Sequence, residues 1–400
     1  MLSISPETQE FIDLHRTENI RMLALRSNKH KEIDLPIALQ QIEGWQIARH
    51  KLPLWSKTKG IIYPPHISME QCSSEQTAEY KADIMGKGET FADLTGGFGV
   101  DTSYLARGFK KAWYVERNED LCQTARHNFQ ILELPQIEVC NKEAELFLKE
   151  MLPVDCLFID PARRNEHGGK TVAISDCTPD VKTLLPLLLQ KGRKIMIKLS
   201  PMLDISLALH DLPDVSNVHI IAVNNECKEL LLIIQHNNDK ESPVQYHSIN
   251  LLSENKNQQF TFTQEEESMS ICTYATTIGN YLYEPNTAIL KAGAFRSIAQ
   301  RFHLEKLHPN SHLYTSETLE RDFPGRSFII EQAIGFTKKD LKALQSSVKK
   351  ANLAIRNFPS SVGELRKRLK LQDGGETYLF ATTLANEKKI LLKCKKISAE

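Results

Sequence analysis

The chain has 400 residues, 41% of them hydrophobic and 25% charged, enough for two or three domains and a large core. Lys and Arg together equal Asp and Glu, so the formal net charge is zero and no whole-molecule attraction to nucleic acid or membrane follows. Met1 to Glu7 lacks the basic start and apolar core of a signal peptide, runs such as Leu230 to Ile234 are too short to span a bilayer, and eight scattered cysteines without a C-x-x-C pair read as buried free thiols of a cytoplasmic protein.

In chain order, Glu7 to Lys29 carries apolar residues at helical spacing (Phe11, Ile12, Leu14, Ile20, Met22, Leu23), and Ile33 to Arg49 repeats the pattern. Residues 1–85 are therefore expected as an N-terminal helical cap, with Lys51 to His66, rich in Pro, Trp and Lys, as a loop. A serine at 73 or 74 ahead of Glu75 and Gln76 is an N-cap signature and opens a helix that runs toward the next strand. Glu89 to Ala92 then reads as a buried strand, Gly96-Gly97-Phe98-Gly99 as a sharp turn, and Asp101 to Ala106 as a helix start. Such a loop lets a ligand approach the backbone at the carboxyl end of a strand. A dinucleotide fingerprint would need glycine at position 102, where Thr102 stands. The Asp93 carboxylate at the strand tip would repel a pyrophosphate, whereas it suits a ligand with an ammonium and a sulfonium.

Lys111 to Glu116 reads as a second strand ending in an acid. Glu116 there can accept both hydrogen bonds of a ribose diol, or simply open the helix Asn118 to Ile131. Ile137 to Cys140 makes a third strand, followed by Glu143-Ala144. Val154 to Ile159, nearly continuously apolar, fits a strand buried on both faces of a parallel sheet and stops at Asp160-Pro161, because proline cannot donate to a ladder. Asp160 is thereby left facing the same crevice as Asp93. A polar loop is expected over Asn165 to Asp176, a leucine-rich helix over Pro179 to Gln190, and a fifth strand over Lys194 to Leu199 with a stop at Pro201. Val218 to Val223 and Glu229 to Ile234 are joined by too few residues for a crossover helix and must pair antiparallel.

Beyond residue 240 the sequence turns polar and strand-like, with Gln258 to Thr263 alternating. A helix is expected over Ala288 to Phe302 and a small α+β module over Leu304 to Glu331, with a strand from Phe328 to Ile334. Two basic helices, Lys338 to Ala354 and Ser361 to Leu371, precede the hairpin strands Thr377 to Thr382 and Lys389 to Cys394. Residues 337–400 hold 15 Lys/Arg against 6 Asp/Glu, a basic face suited to phosphate contacts.

The stretch Asp93-Leu94-Thr95-Gly96-Gly97-Phe98-Gly99 resembles motif I of class I S-adenosylmethionine-dependent methyltransferases. Asp160-Pro161-Ala162-Arg163 resembles motif IV of the amine-directed nucleic-acid methyltransferases, with Ala162 in place of a second proline and Arg163 in place of the usual aromatic. Arg163 and Arg164 could instead hold phosphate or a flipped base. The tail motif from Asn357-Phe358-Pro359 through Gly374-Gly375 to Tyr378-Leu379-Phe380, with the Asp160 and Lys198-Leu199-Ser200-Pro201 signatures, resembles a bacterial methyltransferase group with a C-terminal THUMP-like domain.

The resemblance implies an α/β fold: a seven-stranded Rossmann-like methyltransferase sheet (86–240) after the helical region (1–85), then a ferredoxin-like α+β module (241–326) and a THUMP-like α+β domain (327–400). It implies S-adenosylmethionine held by Ser74, Asp93, Thr95, Gly97 and Gly99 at the methionine end, Glu116 at the ribose and Glu143 at the adenine. Asp160, Pro161 and Arg163 are then the catalytic residues, with RNA (tRNA or rRNA) as partner and a base exocyclic amine as favoured acceptor; no metal is implied. A second reading is ribose 2′-O-methylation, whose enzymes use a Lys-Asp-Lys-Glu set; Lys81, Asp160, Lys198 and Glu226 occur in that order. A non-catalytic RNA-binding protein with this fold is a third.

Overall fold

Short apolar runs, two of them stopped by proline at Asp160-Pro161 and Ser200-Pro201, build the sheet on which the functional side chains stand. The structure is a computed structural model and describes residues 4–26, 32–163, 174–235, 242–252 and 257–397. The chain divides into two units, Met1–Asn217 with Glu229–Ser242, and Val218–Lys228 with Pro243–Glu400.

In the first unit, β1 (Gly88–Asp93), β2 (Phe109–Glu116), β3 (Ile137–Asn141), β4 (Val154–Ile159) and β5 (Gly192–Leu199) lie parallel in the order β3-β2-β1-β4-β5. β6 (Val215–Val223) and β7 (Glu226–Gln235) follow, with Val218–Lys228 of this hairpin belonging to the second unit; β7 pairs antiparallel with β5 through residues 230–235. The turn between β6 and β7 is two residues, Asn224 and Asn225, both at positive φ (50° and 65°), which matches the twist of a tight hairpin. Phe91, Leu157, Phe158 and Ile159 are buried, as a strand covered on both faces requires. The registers bring Asp93 opposite both Tyr114 and Phe158, and Lys198 opposite Leu231, so the carboxyl tips of β1, β2, β4 and β5 share one edge.

The N-terminal region is helical, with α1 (Pro6–His15), α2 (Ile20–Arg26) and α3 (Leu35–Lys51). The single helix expected from Glu7 is thus broken between His15 and Ile20. The expected loop at 51–66 holds a further helix, α4 (Pro53–Lys57), and α5 (His66–Gln71) starts at its end. α6 (Glu75–Met85) is capped by Ser74, which accepts from Thr77 N. This region shares a core with the Gly-rich loop: Trp55 sits edge-on to Phe98 at 4.9 Å, in a cluster with Tyr63, Met69 and Tyr104. α7 (Val100–Leu105) and α8 (Glu119–Ile131) follow β1 and β2. Most of the loop expected at 165–176 lies outside the described residues.

In the second unit, β8 (Gln245–Leu251) and β9 (Gln258–Thr263) pair antiparallel. A separate sheet holds β10 (Tyr281–Pro285), β11 (Tyr314–Ser316), β12 (Gly325–Gly335), β13 (Asn352–Arg356), β14 (Thr377–Thr383) and β15 (Lys389–Lys396) in the order β11-β10-β12-β15-β14-β13, with the short strand Glu305–Lys306 at the β11 edge. The helix expected at 288–302 is split by Gly293, at φ 82°, into Thr287–Ala292 and Ser297–Arg301. The first basic helix ends at Ser347, and the residues beyond it supply β13. Leu341, Leu344, Leu365 and Leu369 from the two basic helices pack on Leu379 and Leu391 of the sheet. Among the described residues no helix is long and apolar enough to cross a membrane.

Candidate active site

The Gly-rich loop is built around a buried acid. Asp93 has no exposed surface. Its Oδ1 accepts from Thr95 N at 2.9 Å and its Oδ2 from Thr102 Oγ1 at 2.6 Å, which ties the strand tip to the loop and to α7. Burial pushes its pKa up to about 7, against the pull of those two hydrogen bonds. Thr95 turns the other way: its Oγ1 accepts from Asp160 N at 2.6 Å, so the ends of β1 and β4 are stitched together. Gly97 takes φ 54° and Gly99 φ 86°, and a Cβ on Gly99 would meet the Phe129 ring at 2.9 Å. Among the described residues, an added Cβ at Gly97 would meet nothing nearer than Thr95 O at 3.9 Å, so the open face of the loop is there.

Glu116, half-buried at the tip of β2, accepts from Gly97 N (3.0 Å) and Asn118 N (2.9 Å). Glu143 is exposed just past β3, at the head of the helix Ala144–Glu150, and makes no side-chain cap. Ser74 is occupied with capping α6. Pro161 is buried. Arg163 pairs through its backbone with Cys177, and its side chain lies outside the described residues.

Beside the loop lies a cluster of two lysines and three carboxylates, drawn from five elements of the first unit. Lys81, on α6 and fully buried, donates to both Glu229 oxygens at 2.8 Å and lies 3.1 Å from Asp101 Oδ1. Lys198, near the end of β5, donates to Asp160 Oδ2 at 2.6 Å and to Asp101 Oδ2 at 3.3 Å. Its ammonium is 3.9 Å from Glu229, which joins the two halves. Ser73 Oγ lies 3.0 Å from each lysine nitrogen and donates to Asp101 Oδ2 at 2.7 Å.

Exposure is graded across the cluster: Lys81 0%, Glu229 5%, Lys198 11% and Asp160 35% of the side chain. Only the Asp160 end reaches solvent freely. Burial works against the Lys198 charge, but Asp160, Asp101 and Glu229 outweigh it and hold the ammonium well above the usual lysine range. Burial likewise opposes the Asp101 charge, yet Lys81 and Lys198 hold its pKa down at about 2. Asp160 is pushed up by burial, although Lys198 opposes the shift.

Along its full length the chain matches the crystal structure of a "putative methyltransferase" from Porphyromonas gingivalis W83, at 38% identity, covering 100% of both chains with a TM-score of 0.87. Family models match a ferredoxin-like domain at residues 281–324 and a THUMP domain-like region at 325–396. The chain belongs to the bacterial class I methyltransferase group with a C-terminal THUMP-like domain. An rRNA methylase from Streptococcus thermophilus is similar over 40% of this chain and 94% of its own, at 14% identity and a TM-score of 0.31. No curated protein matches the chain.

Within this family fold, one expected residue is corrected. Glu226 does not join the lysines: its side chain is 73% exposed and pairs with Lys228. Glu229 takes the place instead. The hairpin turn ends at Asn225, so Glu226 opens β7, and an odd step of three residues along a strand reverses the face. Ser73 and Asp101 also carry site contacts that local sequence does not single out, since their partners come from distant elements. Among the described residues no group of three or more His, Cys, Asp or Glu side chains is placed to hold a metal ion.

Proposed function

We propose that this protein transfers a methyl group from S-adenosylmethionine to RNA (tRNA or rRNA) in the cytoplasm, with a ribose 2′-hydroxyl as the acceptor. The observation that carries this reading is the meeting of Lys81, Asp160, Lys198 and Glu229 beside the Gly-rich loop. These are the residue types of the Lys-Asp-Lys-Glu set, standing on a helix before β1 and at the ends of β4, β5 and β7.

The residues present fit the cofactor. Among the described residues nothing obstructs the loop face at Gly97, and the Glu116 carboxylate has lone pairs beyond the two its backbone partners use. Asp93, Thr95, Gly97 and Gly99, with the Ser74-capped helix, would hold the methionine end, Glu116 the ribose and Glu143 the adenine. The bound cofactor supplies an electrophilic methyl group on a sulfonium, and the displacement needs alignment above all.

Among the described residues Asp160 Oδ1 accepts no hydrogen bond, which leaves it to take the acceptor's O–H proton. Its raised pKa makes it a better base for that transfer. Lys198, held as an ammonium, stabilises the oxygen as it loses that proton. The same charge discriminates between acceptors. An amine nitrogen gains positive charge on methylation and is disfavoured beside an ammonium, whereas an oxygen giving up a proton is favoured there. A base exocyclic amine held by Asp160 stays as the second reading, supported by the Asp160-Pro161 stop.

In the test, Asp160→Ala lowers methyl transfer at least about a hundredfold while calorimetric S-adenosylmethionine affinity stays near that of the wild type. Joint loss of both would remove Asp160 from the acceptor side. Absence of S-adenosylmethionine binding by the wild type would favour a non-catalytic RNA-binding protein.

A further inference from the structure

Resting on the acceptor site just proposed, we infer that Ser73 and Asp101 are positioning residues that hold Lys198 and Lys81 for methyl transfer and tie them to the Gly-rich loop. A serine hydroxyl has one proton to donate and two lone pairs. Ser73 uses all three, donating to Asp101 Oδ2 at 2.7 Å and accepting from Lys81 and Lys198 at 3.0 Å each. Two ammonium groups on one oxygen repel each other. Asp101 offsets this by reaching both, with Oδ1 3.1 Å from Lys81 and Oδ2 3.3 Å from Lys198. Glu229 supplies the third partner of Lys81 and Asp160 the third partner of Lys198, so each ammonium meets three acceptor groups.

Ser73 and Asp101 are 7% and 8% exposed and do not reach solvent as Asp160 does, so they act through Lys198. Their chain positions give the pair a second role. Asp101 stands two residues past Gly99, in the first turn of α7, and Ser73 is next to the cap of α6. The loop that would hold the cofactor and the lysine that faces the acceptor are thereby connected through one carboxylate. Among the described residues, Lys81, Asp101, Asp160, Glu229 and Cys72 are charged or titratable groups near Lys198.

The test uses the full chain with Ser73→Ala, Ser73→Thr and Asp101→Asn. It combines methyl-transfer kinetics on RNA, S-adenosylmethionine calorimetry, and NMR titration of ¹³Cε-lysine with the Lys198 signal assigned from Lys198→Arg. Ser73→Ala is expected to lower kcat about a hundredfold, with the KM for RNA unchanged. Its Lys198 ammonium is expected to titrate at lower pH than in the wild type. Ser73→Thr, which keeps the hydroxyl, recovers most of the rate and the wild-type titration; Asp101→Asn lowers the Lys198 titration further. An unchanged kcat in Ser73→Ala, or a Lys198 titration in Ser73→Ala and Asp101→Asn the same as in the wild type, would overturn the inference. If the wild type methylates no RNA, the acceptor reading fails, and the lysine titration still decides the role of Ser73 and Asp101.

Discussion

Asp93 is the residue whose surroundings depart most from a strand-tip acid facing solvent. Its two oxygens serve Thr95 N and Thr102 Oγ1, and it reaches the cofactor site through the loop it shapes. Burial raises its pKa to about 7, whereas an unfolded chain releases that proton near about pH 4. Between those values the folded chain holds a proton that the unfolded chain has lost. Its contribution to stability therefore falls as pH rises through that window and levels off above it. Asparagine has no such proton. The protonated carboxyl and an asparagine offer the same donor and acceptor, so Asp93→Asn starts near the wild type in stability and gains on it as pH rises from about 4 to 7. Urea titrations of both proteins across that range check this, and a difference independent of pH would mean that Asp93 is charged throughout.

At the scale of elements, the part of the N-terminal region from Ala48 to Ala78 packs in one core with the Gly-rich loop, while Ile12, Leu23, Ala38 and Ile42 of α1 to α3 form a cluster of their own. Trp55 is fully buried against Phe98 of the Gly-rich loop. Trp55→Ala is expected to cost about 3–5 kcal/mol in urea unfolding and to weaken S-adenosylmethionine binding by loosening that loop. A cost under about 1 kcal/mol would instead make the region a detachable cap. The alternation of strands and helices through β5 was legible in the sequence because the apolar runs are short and separated by polar or Gly-rich stretches, and two of them have a steric stop, at Asp160-Pro161 and Ser200-Pro201. What depended on distant partners was not. Ser73 and Ser74 are adjacent and alike; one caps α6, while the other meets Asp101 and Lys198, 28 and 125 residues away. Glu226 and Glu229 could be told apart only once the two-residue turn at Asn224-Asn225 fixed where β7 begins. The breaks at Gly293 and Ser347 interrupt apolar periods that continue across them, so periodicity alone overran both.

For the whole molecule, zero net charge conceals an uneven distribution. Residues 337–400 hold 15 basic against 6 acidic side chains, and Lys338, Lys339, Lys342, Lys367, Arg368 and Lys370 are all exposed. On the proposed function this THUMP-like region grips RNA phosphates, while the cluster around Lys198 acts on a ribose. The central claim is that the ammonium beside Asp160 selects an oxygen acceptor. RNA from cells lacking the protein, incubated with the wild-type chain and methyl-labelled S-adenosylmethionine, can be digested to nucleosides and analysed by mass spectrometry. The account predicts label on the ribose of a nucleoside, absent with Asp160→Ala. Label on a base, or no labelled nucleoside with the wild type, would contradict it.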